Sequence, residues 1–365
     1  MPPEPHVAFV TDALPSIGGA EKVLFKALEI FPAADVFTLI YNREVFVGTP
    51  LGTRCIKTSI LDRLPLAHAN HRLLLPLMPA AVRSFDLRAY DLVVSFSYAV
   101  AHGVRVRAST RLVSYTYTPL RYAWDRLNLD GTRAPNYPIV DCLLAAFREW
   151  DKRAAARVDE FGSISHHTAR RIQRAYGREA RVIYPPVDVD RFRAEMRRGA
   201  YYVTVSRLVP HKRVDLIVEA FTALKLPLLI IGEGPELTRL ERRAGPNIKF
   251  TGYLPDPAVE DLLSRARAFV TACEEDFGIA IVEAQAAGCP VISYRGGGAL
   301  ETVIEGSTGE FFSEQTPSNI IEAIKRFDAS STSYRTQDHV KNAARFGAAR
   351  FKKEFAEFVL AGMAG

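Results

Sequence analysis

The stretch that decides the fold is Thr271–Leu300, TACEEDFGIAIVEAQAAGCPVISYRGGGAL. Phe269, Val270 and Thr271 end a short apolar strand, and Glu274, Glu275 and Asp276 form an acidic loop after it. The pattern predicts a helix from about Phe277 to Ala287. Gly288 suits the left-handed residue that closes a helix, and Pro290 forbids continuation. Val291–Tyr294 is an apolar run of strand length. Gly296, Gly297 and Gly298 then let the backbone come close to something bulky or charged. Strand, loop, helix, strand is one step of a parallel α/β layer.

The chemistry of this unit lies at the predicted helix start. The first amides there, on Phe277, Gly278 and Ile279, have no partner within the helix, and such a start attracts anions. Glu275 stands just before the helix and Glu283 about a turn and a half into it. A carboxylate beside an anion site is useful where it grips hydroxyls, so Glu283 reads as a ribose ligand. The plainer reading is two acids on a solvated face; spacing alone leaves both open.

Moving outward, the second half repeats the same unit. Strand Tyr201–Ser206 is followed by a helix over Val214–Leu224. Then come strand Leu228–Ile231, the turn Gly232–Pro235, strand Ile248–Phe250 and a helix near Val259–Arg267. Arg207 and Lys212 lie just past the first of these strands, where open parallel sheets hold their ligands. An arginine clamps phosphate oxygens at two points and a lysine adds a mobile charge. Exposed basic residues are commonly mere solubility, so this pair gains weight only beside Glu275, Glu283 and the helix start. Val340–Leu360 reads as one amphipathic helix whose stripe, Phe346, Phe351, Phe355 and Phe358, faces a core.

Tyr184-Pro185-Pro186-Val187-Asp188 is a connector, because two prolines stop both helix and sheet. Before it lies an earlier α/β cycle. Its strands are His6–Val10, Asp35–Ile40, Asp91–Phe96, Arg111–Thr118, Glu160–Ser165 and Arg181–Tyr184, with a long helix over Asp141–Arg157. Gly18 and Gly19 open the first helix. They either allow tight packing or bring their amides to a phosphate or sugar; the turn is not the glycine fingerprint of a dinucleotide fold. Residues 67–111 mix leucines with Arg72, Arg83, Arg88, Arg105, Arg107 and Arg111. This is either a solvated face over packed helices or a surface that settles on anionic lipid.

A length of 365 residues fits two domains, and 48% hydrophobic with 24% charged residues excludes a disordered chain. A net charge of +6 is too mild to argue for nucleic acid. Cys55, Cys142, Cys273 and Cys289 are scattered, which indicates neither a zinc site nor a disulfide framework. The first residues lack a signal-peptide pattern, and no apolar run nears the roughly 20 residues of a spanning helix. A cytoplasmic protein, in contact with a membrane surface at most, is the expectation.

Taken together, several segments resemble glycosyltransferase family 4, the retaining GT-B enzymes. They are GGAEKV (18–23), YPPVD (184–188), SRLVPHKRVDLIVEAF (206–221), IGEGPE (231–236), IKFTGYL (248–254), EDFGIAIVE (275–283) and GGALETVIEGSTGEFF (297–312). YTPLRYAWD (117–125) is similar to bacterial O-antigen and exopolysaccharide mannosyltransferases. The resemblance implies two Rossmann-like doubly wound domains facing a cleft. Residues 1–187 would bind acceptor and 188–340 a nucleotide sugar, with a final helix, about 341–362, returning to the first domain.

The resemblance also implies roles. Arg207 and Lys212 would hold a diphosphate, Glu283 the ribose and Glu275 the donor sugar. Phe277, Gly278 and Ile279 would present amides to the phosphates, with Gly18 and Gly19 facing the same group. Tyr253 and Leu254 would lie near the base. Many relatives carry histidine where this chain has Tyr117. Either its hydroxyl takes over near the donor sugar, or the role moves, with His102 and His166 as substitutes. A glycine common after the lysine is here Arg213. The implied reaction moves a hexose, mannose from GDP-mannose, to a lipid-linked oligosaccharide in surface polysaccharide synthesis, with no cofactor or metal. The alternatives are a UDP-sugar donor, an epimerase or phosphorylase on the same scaffold, and a non-catalytic sugar-nucleotide-binding partner of an assembly complex.

Overall fold

A computed structural model describes residues 5–65, 67–125, 137–195, 198–330 and 334–363. The chain forms two compact units. The first holds the described residues up to Pro186 and resumes at Phe351; the second holds those from Val187 to Arg350.

The first unit is built on a parallel sheet. Its strands are β1 (Val7–Thr11), β2 (Asp35–Thr38), β3 (Ile56–Thr58), β4 (Leu92–Ser97), β5 (Arg111–Thr116), β6 (Glu160–Ser163) and β7 (Arg181–Val182). Their order is β3-β2-β1-β4-β5-β6-β7, so the chain direction across the sheet reverses between β1 and β4. β1 and β4 are buried along their whole length. This explains their unbroken apolar runs, since crossover helices cover both faces of a parallel sheet. β3 was not legible in sequence. It is a three-residue edge strand, Ile-Lys-Thr, with two exposed positions and no periodicity to detect.

The second unit repeats the plan with β8 (Tyr202–Val205), β9 (Leu228–Ile231), β10 (Ile248–Gly252), β11 (Phe269–Thr271), β12 (Val291–Tyr294) and β13 (Gly309–Phe312). The order is β10-β9-β8-β11-β12-β13, all parallel, with the reversal between β8 and β11. β13 was also missed; its sequence Gly-Glu-Phe-Phe starts on a glycine and carries a charge. The residues leaving β8 and β11 are those that carry Arg207, Lys212 and Glu275.

Several boundaries need correction. The helix expected over Phe277–Ala287 spans Ile279–Ala286, because Phe277 is buried against Phe346 (rings 5.4 Å apart) and Gly278 is left-handed. The helix expected over Asp141–Arg157 spans Pro138–Ala155, with proline at its permissive first position. The helix near Val259–Arg267 starts earlier, spanning Asp256–Arg265. Val340–Leu360 is not one helix. Thr336–Ala344 and Ala348–Leu360 are separate, and Phe346 in the break turns inward onto Phe277. The Phe stripe is core, as its spacing indicated: Phe346, Phe351, Phe355 and Phe358 are all 0% exposed. From Phe351 the last helix belongs to the first unit, where Phe351 and Phe355 pack on Tyr115, and Phe355 on Phe96.

Candidate functional site

The second unit brings Lys212 and Glu275 together. Pro210–Lys212 is a single tight turn after β8, and Arg213 ends it in left-handed conformation at φ 52°. That geometry explains why a glycine suits this position and why Arg213 is strained there. The Lys212 Nζ donates to both oxygens of Glu275, each at 2.7 Å. The Cys273 thiol donates to Glu275 Oε1 at 3.0 Å. Burial alone would lower the lysine pKa; the Glu275 carboxylate outweighs it and holds the ammonium above its ordinary value. Burial, with Glu275 beside it, pushes the Cys273 thiol up to about 12, so it stays protonated.

Glu283 does not face bulk solvent alone. Its Oε1 accepts from Arg191 at 2.9 Å, and its side chain is 15% exposed. Arg191 also meets Asp256 and, at 3.3 Å, Glu260, and its guanidinium lies over the Phe192 ring. Burial opposes the charge on Arg191, but Glu283, then Asp256 and Glu260, raise its pKa. Arg191 escaped the sequence reading. Its partner is 92 residues away, and nothing in the segment after YPPVD points to Glu283.

The start of the Ile279–Ala286 helix carries no side-chain cap. The glycine turn has a definite partner: Gly298 donates its amide to the Glu275 carbonyl at 2.7 Å. A Cβ on Gly297 would lie 2.1 Å from that same carbonyl oxygen, and one on Gly298 would lie 2.4 Å from the Phe277 Cα. The bulky group that these glycines admit is thus the backbone of the acidic loop itself. They fix where Glu275 begins its reach.

Arg207 is exposed, and its side chain forms no hydrogen bond or ion pair among the described residues. Tyr253 is 73% exposed, and its amide donates to Glu233 Oε1 at 3.1 Å; Leu254 is half-buried beside it. The GEG turn closes under this loop, since a Cβ on Gly232 or Gly234 would strike the carbonyls of Ser206 or Leu208 at 2.0 and 2.3 Å.

The first unit uses its candidates differently. The Gly18 amide donates to Glu21 Oε2 at 2.8 Å, so it is already committed to an anion of the chain's own. Gly19 is the first residue of the Gly19–Ile30 helix. The Tyr117 hydroxyl donates to the Ala20 carbonyl at 3.0 Å, tying the end of β5 to that helix start. Burial raises its pKa well above the ordinary tyrosine value. His102 is buried, with Nδ1 3.0 Å from Ser97 Oγ and Nε2 3.0 Å from Asp151 Oδ1. That dyad is internal, since Asp151 is 0% exposed. His166 begins the helix after Ser165, with its ring 6.3 Å from Tyr184. Asp12, which the sequence reading passed over, accepts four backbone amides, from Tyr98, Ala99, Val100 and Ala101, at 2.6–2.9 Å. It shapes the loop after β4. No group of three or more His, Cys, Asp or Glu side chains among the described residues could hold a metal ion, and no described helix is long and apolar enough to cross a membrane.

Two family models match consecutive parts of the chain: "Glycosyltransferase Family 4" over residues 17–191 and "Glycosyl transferases group 1" over residues 189–345. Together the two matches span residues 17–345, and the two parallel-sheet units have the GT-B fold. It is 33% identical over 190 residues to a GDP-mannose-dependent alpha-(1-6)-phosphatidylinositol monomannoside mannosyltransferase of Mycolicibacterium smegmatis, covering 43% of this chain and 50% of that one. The chain spans about half the length of the curated relatives it matches. Two solved structures share the whole fold. Sucrose-phosphate synthase of Thermosynechococcus elongatus has a TM-score of 0.76 at 15% identity, covering 96% of this chain and 98% of that one. HepE of Anabaena, in complex with UDP and glucose, has a TM-score of 0.73 at 17% identity, covering 98% and 100%. At such identities the likeness speaks of fold alone.

Proposed function

We propose that the protein is a retaining hexosyltransferase that moves mannose from GDP-mannose to a hydroxyl of a lipid-linked saccharide. The observation that carries this reading is the Lys212–Glu275 pair beside the uncapped helix start at Gly278. A diphosphate at that start would draw the Lys212 ammonium from carboxylate to phosphate oxygens. Glu275, still accepting from the Cys273 thiol, would then exchange the lysine for donor-sugar hydroxyls. Arg207 adds a second cation, and fixed donors aimed at a departing diphosphate are the main electrostatic demand of glycosyl transfer. Glu283, oriented by Arg191, suits the two ribose hydroxyls, because a carboxylate accepts from both. A metal has no necessary part, since two cationic side chains and the helix amides neutralise the leaving group.

The mannose and GDP assignments rest on the matched relatives, which are described as GDP-mannose-dependent mannosyltransferases acting on a phosphatidylinositol mannoside. Those same descriptions favour an acceptor carrying a lipid, which we assign to the first unit. Service in surface polysaccharide synthesis, at the inner face of a membrane, follows from that acceptor class.

A thermal-shift panel of GDP-, UDP- and ADP-sugars tests the donor, since ligand binding raises melting temperature by mass action. GDP-mannose is expected to stabilise most. A larger shift with a UDP-sugar overturns the base assignment. No shift with any nucleotide sugar overturns the transferase reading. Turnover with a synthetic lipid-linked acceptor then separates transfer from epimerisation, which would convert donor with no acceptor present.

A further inference from the structure

Within the first unit, three arginines gather around Trp150. The Arg83 guanidinium lies over the indole at 5.8 Å. Gly103 touches the same ring, so that a Cβ there would stand 2.6 Å from it. Arg157 donates to the Gly103 carbonyl at 3.3 Å, and Arg105 follows two residues later. Arg105 and Arg157 stand on the chain entering β5 and β6, whereas Gly18 and Tyr117 follow strands.

None of the three arginines has a carboxylate partner among the described residues. The acids flanking Trp150 are engaged elsewhere. Glu149 holds Arg153 at 2.7 Å, and Asp151 accepts from Trp124 and Tyr176 and faces His102. Two buried donors of this cluster, Arg83 Nε and Trp150 Nε1, have no acceptor among the described residues. Burial, with Arg83 and Arg105 close by, lowers the pKa of Arg157. Beyond the cluster, Arg105 and Arg107 line a cavity of about 340 Å³ together with Arg88, whose guanidinium Asp86 already holds at 2.8 Å.

Such an arrangement is unfavourable without a ligand. Like charges repel, and each buried donor left without a partner costs about 1–3 kcal/mol. One group relieves both: an anion with several acceptor oxygens, which planar guanidinium forks grip at two points each. We propose that Arg83, Arg105 and Arg157, with the Trp150 N–H, form a binding site for a phosphate-class anion. The phosphate is either free in solution or carried on a phospholipid headgroup. The site does not depend on the transferase reading and is separate from Lys212 and Glu275.

The test compares the wild type with Arg105→Glu/Arg157→Glu, a change at two exposed positions. A control, Arg170→Glu/Arg174→Glu, makes the same charge change at two exposed positions on the His166–Tyr176 helix. Inorganic phosphate is titrated while tryptophan fluorescence is read, and flotation is measured with phosphatidylglycerol-containing and pure phosphatidylcholine vesicles. The wild type is expected to bind, and the Arg105/Arg157 variant to bind at least about tenfold more weakly, with the control unchanged. Loss confined to phosphatidylglycerol vesicles identifies a headgroup; loss of the phosphate titration identifies a soluble anion. A wild type that binds neither probe overturns the proposal, as does a variant that binds as wild type or a control that loses as much. Should the glutamate variant melt early, Arg105→Gln/Arg157→Gln must still show an intermediate loss, and its failure to do so overturns the proposal equally.

Discussion

The Gly19–Ile30 helix starts after Gly18, extended at φ −142°, whose amide is held by the buried carboxylate of Glu21. The Ile279–Ala286 helix starts after Gly278, left-handed at φ 91°, and no side chain caps it. Both follow a strand and a loop, and both looked in sequence like places for a phosphate. The first already has an anion at its positive end, and a second would be repelled by it. At the second, the flanking carboxylate, Glu275, holds a lysine instead. A helix start invites a ligand only where the chain has not already closed it.

The largest expected effect tests that contrast directly. Lys212→Ala with Arg207→Ala should lower turnover by about 10²–10³-fold, the usual loss when fixed donors to a developing negative charge are removed. The corresponding change at the other helix start, Glu21→Gln, should lower stability while leaving turnover within a few-fold. Initial rates at saturating donor decide. If Lys212→Ala/Arg207→Ala keeps transfer within a few-fold, the diphosphate does not lie at the second helix and the comparison collapses.

A smaller effect sharpens the picture of Glu283. Arg191→Ala should raise the donor KM about tenfold, or about 1.4 kcal/mol, with kcat less affected. It removes the group that aims Glu283 and leaves Glu283, Asp256 and Glu260 without their common partner. Arg191→Lys should recover little, since a single ammonium lacks the fork that reaches separate carboxylates. Equal KM values for wild type and Arg191→Ala would mean that Glu283 touches no part of the donor.

Sequence legibility followed the same division. Of the charged candidates Arg207, Lys212, Glu275 and Glu283, the structure brings Lys212 and Glu275 into contact, and both of these follow strand ends. Parallel sheets place such positions together. Arg191 could not be read, since it meets Glu283 only through tertiary packing. The closure of Gly18 by Glu21 could have been found, because an acid three residues after a helix cap is a known signature. Here that acid lay inside the GGAEKV segment and was absorbed into it. The glycines at 296–298 signal close approach to something bulky or charged, but their spacing does not say what it is. Only the folded chain brings the Glu275–Phe277 backbone into that space.

Tyr117 gives the smallest effect and the finest cut. The family resemblance, which places a histidine here in many relatives, offered its hydroxyl as one candidate for work on the donor sugar, yet that hydroxyl donates to the Ala20 carbonyl in the first turn of the Gly19–Ile30 helix. A phenol has one proton to donate, and here it is used to hold the helix start in place. Tyr117→Phe should then cost about 1 kcal/mol of stability, the net worth of one such hydrogen bond, and leave kcat within a few-fold. A hydroxyl acting on the substrate would give the opposite pattern, a kcat loss of about 10²-fold or more at unchanged melting temperature. Measuring both quantities on the one variant therefore decides whether the closed helix start of the first unit is only scaffold.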